Sequence, residues 1–152
     1  MAKLSPPEEN LKETPKSKWR ATIAITRFNK PIGSFLLLAP TLWGVILANG
    51  GFPDLATLLI FTSGAFIMRS AGCVANDLAD RNLDGHVERT RNRPLVTGTL
   101  KVNEAIIILS TLLAIALSLV IMTNSLTIKL SLVGFLLAIF YPLTKRVTYF
   151  PQ

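Results

Sequence analysis

The chain has 152 residues; half are hydrophobic and only 16% carry a charge, where soluble domains run near a quarter charged. The stretches 31–53, 55–68, 105–128 and 130–144 contain no Lys, Arg, Asp or Glu. Long apolar runs without charge read as membrane spans. They exclude a soluble globular enzyme and a disordered chain, which needs low hydrophobicity and high net charge.

In chain order, residues 1–18 hold three Pro with interspersed Lys and Glu, a composition that predicts a disordered cytoplasmic tail. No apolar run follows its basic residues, so it is no signal peptide. From Ser17 a short helix is expected, in which Trp19, Ile23 and Phe28 alternate with Lys18, Arg20, Arg27 and Lys30. Mixed aromatic and basic residues suit a helix lying at the membrane interface. Four spans follow, at about 32–48, 55–75, 105–122 and 126–143, each near the length that crosses a hydrocarbon core. The expected fold is an all-α polytopic transmembrane bundle, with residues 19–152 forming one membrane domain.

The net charge of +7 would point to nucleic acid in a soluble protein, but its distribution points to a lipid bilayer as the partner and to no nucleic acid. The segment before the first span holds seven Lys or Arg, 49–54 none, 76–104 five, 123–125 none, and the C-terminus Lys145 and Arg146. This alternation is the positive-inside pattern, and it places both termini and the 76–104 loop in the cytoplasm. The expected location is an integral membrane protein of a bacterial inner membrane. Lys129 then lies at the outer end of the fourth span, where it snorkels to the headgroups. Cys73 and His86 are each the only residue of their kind, which leaves no cysteine framework or His-based zinc site. No glycine-rich phosphate loop occurs either.

The chemistry concentrates in Asn76-Asp77-Leu78-Ala79-Asp80-Arg81-Asn82-Leu83-Asp84. If the second span stays helical here, each residue turns by about 100°, placing Asp80, Asp84 and Asp77 within about 100° of Asn76. Like charges four residues apart repel along a helix, and a cation relieves that cost. Oxygen ligands without His or Cys select Mg²⁺, Mn²⁺ or Ca²⁺, and Mg²⁺ in particular is held by carboxylates together with substrate phosphates. Arg81, Arg89, Arg91 and Arg93 follow closely, and arginine forks suit phosphate oxygens. Arg69 shares the acidic face roughly 10 Å deeper in the span, and an ionisable residue at that depth marks a function by default. Tyr141 and Lys145, spaced i,i+4, bring an ammonium to the same membrane edge. The combination fits a substrate that joins a diphosphate to a lipid tail.

The run from Met68 to Thr90 resembles the first aspartate-rich region of the UbiA-type intramembrane prenyltransferases. Further matches are Arg27 with Lys30-Pro31-Ile32-Gly33, Arg93-Pro94-Leu95 with Gly98, and Tyr141-Pro142-Leu143-Thr144-Lys145-Arg146. The resemblance implies a helical fold, commonly of nine spans, that holds polyprenyl diphosphate through Mg²⁺. Asn76, Asp80 and Asp84, with Asp77 beside them, would form the metal and diphosphate site. Arg93, Tyr141 and Lys145 would bind substrate, and Asp80, Asp84 and Lys145 would carry the catalytic charge neutralisation. Arg69 would hold the carboxylate of an aromatic acceptor, best matched by 4-hydroxybenzoate, prenylated ortho to its hydroxyl on a route to ubiquinone or plastoquinone. The rival expectations are another aromatic acceptor or a non-catalytic four-helix membrane protein. No Asp follows Asp84 and no Glu follows Glu104, so the family's second aspartate-rich motif has no counterpart. The chain reads as the N-terminal part of a longer enzyme, inactive in isolation.

Overall fold

The computed structural model describes residues 15–81, 88 and 90–147, with side chains between 17 and 140. Its described residues form five helices and no strand: α1 (Pro15–Thr26), α2 (Ile32–Asn49), α3 (Leu55–Asp80), α4 (Val102–Ile121) and α5 (Ser125–Val147). The all-α polytopic bundle expected from the sequence is therefore present. Three helices, α2, α3 and α4, are long and apolar enough to cross a membrane. The fourth expected span falls in α5, whose described apolar part runs Ser125–Phe140.

Each span starts and stops at a local signal. Gly50 adopts φ 67° and closes α2: its N–H donates to the Leu47 carbonyl and that of Gly51 to Ile46, an end that only glycine adopts without a Cβ clash. Asp54 caps α3, its carboxylate accepting from the Thr57 N–H (3.1 Å) and hydroxyl (2.6 Å). Those bonds hold the Asp54 carboxyl below its ordinary value, so the cap is intact at neutral pH and is lost as pH falls through that lowered value. Asn124 Oδ1 accepts from the Thr127 N–H (2.8 Å) at the start of α5. Pro40 lies inside α2, which continues through it as one helix.

Helix α3 is the central element: α1, α2 and α4 all pack on it, and α5 touches only α4 substantially. Small residues let the helices approach closely, with Ala65, Ser70, Ala71 and Cys73 buried on α3 and Ser34 on α2, as is usual where lipid supplies no hydrophobic drive between helices. Phe35 and Phe66 meet edge to face across α2 and α3, with centroids 5.8 Å apart. The large apolar residues on the outer surfaces, such as Leu36, Trp43, Ile107 and Leu117, stay exposed, as a lipid-facing surface requires.

The best-packed core sits at the end of the bundle where α3 finishes. Ala21 and Ile25 of α1 join Val74 of α3, Leu100 and Ala105, backed by Leu78, Leu95 and Ile108. This changes the reading of the first helix. It was expected from Ser17 as an interfacial helix; it begins at Pro15, so 15–18 belong to it, and residues 1–14 of the tail lie outside the described residues. Trp19 and Phe28 are exposed, and Ala21 and Ile25, spaced i,i+4, form a buried stripe on α3 and α4. Ile25 is fully buried. Ile25→Ala is expected to lower stability by about 2–5 kcal/mol, measured by unfolding in mild detergent. A change within error would show that α1 only rests on the bundle.

Candidate functional site

Helix α3 has 26 residues, so it is about 39 Å long against a hydrocarbon core of roughly 30 Å. Its last turns carry Asn76, Asp77 and Asp80. The helix remains regular through Asp80, as the one-face argument for Asn76 and Asp80 requires. Both are half-buried. Asp84, the fourth member of the expected cluster, and Arg89 lie outside the described residues. Among the described residues, no group of three or more His, Cys, Asp or Glu side chains is placed to hold a metal ion.

Asp77 has a different surrounding from its neighbours. It is 2% exposed, and its Oδ1 accepts from two guanidinium groups: Arg93 Nη1 at 3.0 Å and Arg27 Nη2 at 3.3 Å. These arginines come from two different segments. Arg27 ends α1 in a turn toward α2, at φ 56°, the left-handed region that a side chain rarely occupies. Arg93 sits in a compact run of turns before α4, where its N–H donates to the Thr90 carbonyl, and Val96 and Thr97 donate to the Arg93 carbonyl. Gly98 (φ 74°) lets that run turn back, burying Leu100. One carboxylate thus ties the α1–α2 turn and the 90–100 turns to the end of α3. Arg93, expected to bind substrate, is paired with Asp77 at the end of α3.

A further ion pair closes the same end of the bundle. Lys18 Nζ of α1 lies 2.8 Å from Glu104 Oε1 of α4, while Glu104 Oε2 accepts from the Lys101 N–H at 2.9 Å and so satisfies the first turn of α4. Arg81 is exposed and donates to the Leu78 carbonyl at 2.8 Å, closing the end of α3.

Arg69 lies deeper on α3 and is exposed to an open groove of about 480 Å³ between α2 and α3, lined by Gly33, Leu36, Leu37, Met68, Arg69 and Gly72. Its guanidinium passes directly over Gly33: a Cβ there would lie 2.7 Å from Nη2 and 2.8 Å from Nε. The absence of a side chain at Gly33 is what allows the guanidinium to lie against α2. Tyr141 and Lys145 fall within α5, but their side chains lie outside the described residues. Sequence reasoning named Gly33 and Arg27 only as parts of a motif; the clearance at Gly33 and the pairing of Arg27 with Asp77 each depend on a partner more than thirty residues away.

The fold defines a polytopic helical membrane protein in which α3 carries Asn76, Asp77 and Asp80 at its end and Arg69 beside an apolar groove. The model of the UbiA prenyltransferase family matches residues 37–152, and the chain belongs to that family. It is 54% identical over 137 residues to a protein of Psychromonas ingrahamii named 4-hydroxybenzoate octaprenyltransferase, covering 90% of this chain and 48% of that one. Proteins of the same name match from Aliivibrio salmonicida (54% identity, 90% and 48% covered) and Pseudomonas syringae pv. tomato (52% identity, 86% and 44% covered). The chain spans about half the length of these curated relatives. No solved structure matches it.

Magnitudes separate the pairs made by Asp77 from the Lys18–Glu104 pair. Removing a buried partner strands charge, whereas exposed pairs contribute little. Asp77→Ala is expected to cost about 3–5 kcal/mol, because it removes the buried carboxylate that Arg27 and Arg93 share. Lys18→Ala should change the unfolding midpoint barely measurably. Equal losses in thermal unfolding would show that Asp77 and Lys18 contribute equally.

Proposed function

We propose that this chain forms the diphosphate mouth and the aromatic-acceptor groove of an enzyme that transfers a polyprenyl group to the ring of 4-hydroxybenzoate, ortho to its hydroxyl, in quinone biosynthesis. The observation that carries the reading is the joint placement on α3 of an oxygen-rich end and, roughly 10 Å deeper, an arginine opening into an apolar groove. The names of relatives more than half identical over most of the chain support it.

The donor set fits a hard divalent cation. Asn76 and Asp80 stand one turn apart on a regular helix, and amide and carboxylate oxygens suit Mg²⁺ completed by water and phosphate oxygens. Asp77 is committed to Arg27 and Arg93, so Asn76, Asp80 and Asp84 would hold the ion. When bound, Mg²⁺ supplies positive charge against the leaving diphosphate.

The chain's own residues do the rest. Arg93 and Lys145 offer cationic donors to the diphosphate oxygens as negative charge grows there, which favours scission of the allylic C–O bond. Arg69, with a planar fork of donors, grips the acceptor's carboxylate and presents the ring to the first prenyl carbon, a gain in orientation more than in bond-making. The ring carbon ortho to the hydroxyl attacks the allylic cation, and loss of that carbon's proton restores aromaticity. Leu36, Leu37 and Met68 line the groove and keep water from capturing the cation. In the cell the basic end would face the cytoplasm of a bacterial inner membrane, following the distribution of Lys and Arg.

Kinetics of a full-length transferase, made by joining residues 1–152 to the remaining half of the Psychromonas ingrahamii relative, test the reading. Asp80→Asn or Asp84→Asn should abolish turnover without rescue by added Mg²⁺; wild-type rates in both would remove the metal assignment.

Arg69→Lys should raise the KM for 4-hydroxybenzoate, and Arg69→Ala should raise it by a factor of about 10–100, as expected for a lost charge-assisted hydrogen bond. Gly33→Ala should act in the same direction, since its Cβ would displace the guanidinium. The KM for the prenyl diphosphate should stay constant in all three. A rise in that KM with acceptor binding intact would place Arg69 in the diphosphate site instead.

A further inference from the structure

Helix α1 is covered on one side only. Ala21 and Ile25 bury against Val74, Leu100 and Ala105. Each helical residue turns by about 100°, so Trp19 and Ile23 stand on the opposite side, with Arg20 at its edge. Trp19 is 67% exposed and Phe28, in the turn after the helix, 59%. Arg20 and Lys30 are exposed as well and form no ion pair among the described residues. Lys18 and Arg27, by contrast, turn inward to Glu104 and Asp77. Residues 14–53 contain no Asp or Glu, so no carboxylate along this segment opposes an anion.

The packing also sets the depth of this face. Helix α2 has 18 residues, about 27 Å, close to the hydrocarbon thickness of roughly 30 Å. Its first residue, Ile32, therefore marks one edge of the hydrocarbon. Gly33 lies against Arg69 and Phe35 against Phe66, so α2 starts level with about Ser70 of α3. Val74, which α1 covers, is about 6 Å further on. Headgroups occupy a band of about 5–8 Å on each side of the hydrocarbon. Helix α1 lies in that band, and the exposed surface of α2, with Ile32, Phe35 and Leu36, continues from it into the lipid.

We propose that the outer face of α1 and the turn after it form a docking surface for anionic lipid headgroups. Trp19 and Phe28 seat at the boundary of headgroup and acyl chain, and Arg20 and Lys30 pair with lipid phosphates. The surface is separate from the proposed reaction site, since it uses neither Asn76 and Asp80 nor Arg69. Lipid on one side and the cluster of Val74, Leu100 and Ala105 on the other then hold α1 in place, and with it Arg27 against Asp77.

The chain has two tryptophans, Trp19 and Trp43, so Trp43→Phe leaves Trp19 as the only reporter. With the whole chain in nanodiscs, lipid brominated near the glycerol should quench its fluorescence more strongly than lipid brominated at the chain end. Brominated phosphatidylglycerol in a phosphatidylcholine background then reads the local preference for anionic lipid, expected at roughly fivefold for each cation near the surface. Arg20→Gln should lower that preference severalfold, and adding Lys30→Gln should abolish it. Arg20→Lys, which keeps the charge, should preserve it. Trp19 quenched by no brominated lipid would show that something other than lipid covers the face. Stronger quenching from the chain end would place Trp19 in the hydrocarbon, and a preference that survives in the double variant would place the attraction elsewhere on the chain. Each of these three results overturns the proposal.

Discussion

A carboxylate buried at the end of a membrane helix must find cations. Left alone in a low-dielectric setting, the Asp77 charge would cost several kcal/mol; with Arg27 and Arg93 on one oxygen, that cost is offset where the charge arises. Much of the surrounding architecture follows from this requirement. The turn after α1 has to bring Arg27 back to α3, even at a left-handed φ. The segment before α4 has to fold over on itself until Arg93 reaches the same oxygen. Once those two segments are in place, Ile25, Val74, Leu100 and Ala105 close into the tightest apolar cluster of the described residues.

The second constraint is length. α2 and α4, at 18 and 20 residues, match a bilayer, while α3 exceeds it by about two turns. Asn76 and Asp80 lie in those extra turns. Arg69, further down the same helix, stays level with the apolar groove. A single rigid element thereby sets the separation of Arg69 from Asn76 and Asp80, a more exact ruler than two loops would provide.

Much of this was legible in the sequence, because membrane helices announce themselves by length and by the absence of charge. The spans expected at 32–48 and 55–75 correspond to α2 and α3, and that expected at 105–122 to α4, with differences confined mainly to the ends. Those ends were set by Gly50 and Asp54, which lie outside the expected spans. The persistence of α3 through Asp80 was also readable, since nothing in Ala75–Asp80 breaks a helix.

What escaped the sequence were interactions between distant segments. A helical wheel puts Asp77 among the other acids, and only the packing of α1 and the 90–100 turns shows that it faces two arginines. The same holds for α1, where a basic and aromatic surface masked the Ala21–Ile25 stripe, and for Gly33, whose lack of a side chain has meaning only once Arg69 lies over it.

The central claim is that α3 carries both ends of one reaction site, with the aromatic acid bound in the groove at Arg69. Photolabelling tests it most directly. An azide-bearing analogue of 4-hydroxybenzoate, irradiated with the chain in nanodiscs and mapped by mass spectrometry, should attach to the residues lining the α2–α3 groove, Leu36, Leu37 or Met68 among them. Excess 4-hydroxybenzoate should suppress that labelling, and phenol, which lacks the carboxylate, should not. Specific labelling away from the groove, or suppression by phenol as strong as by the acid, would contradict the account.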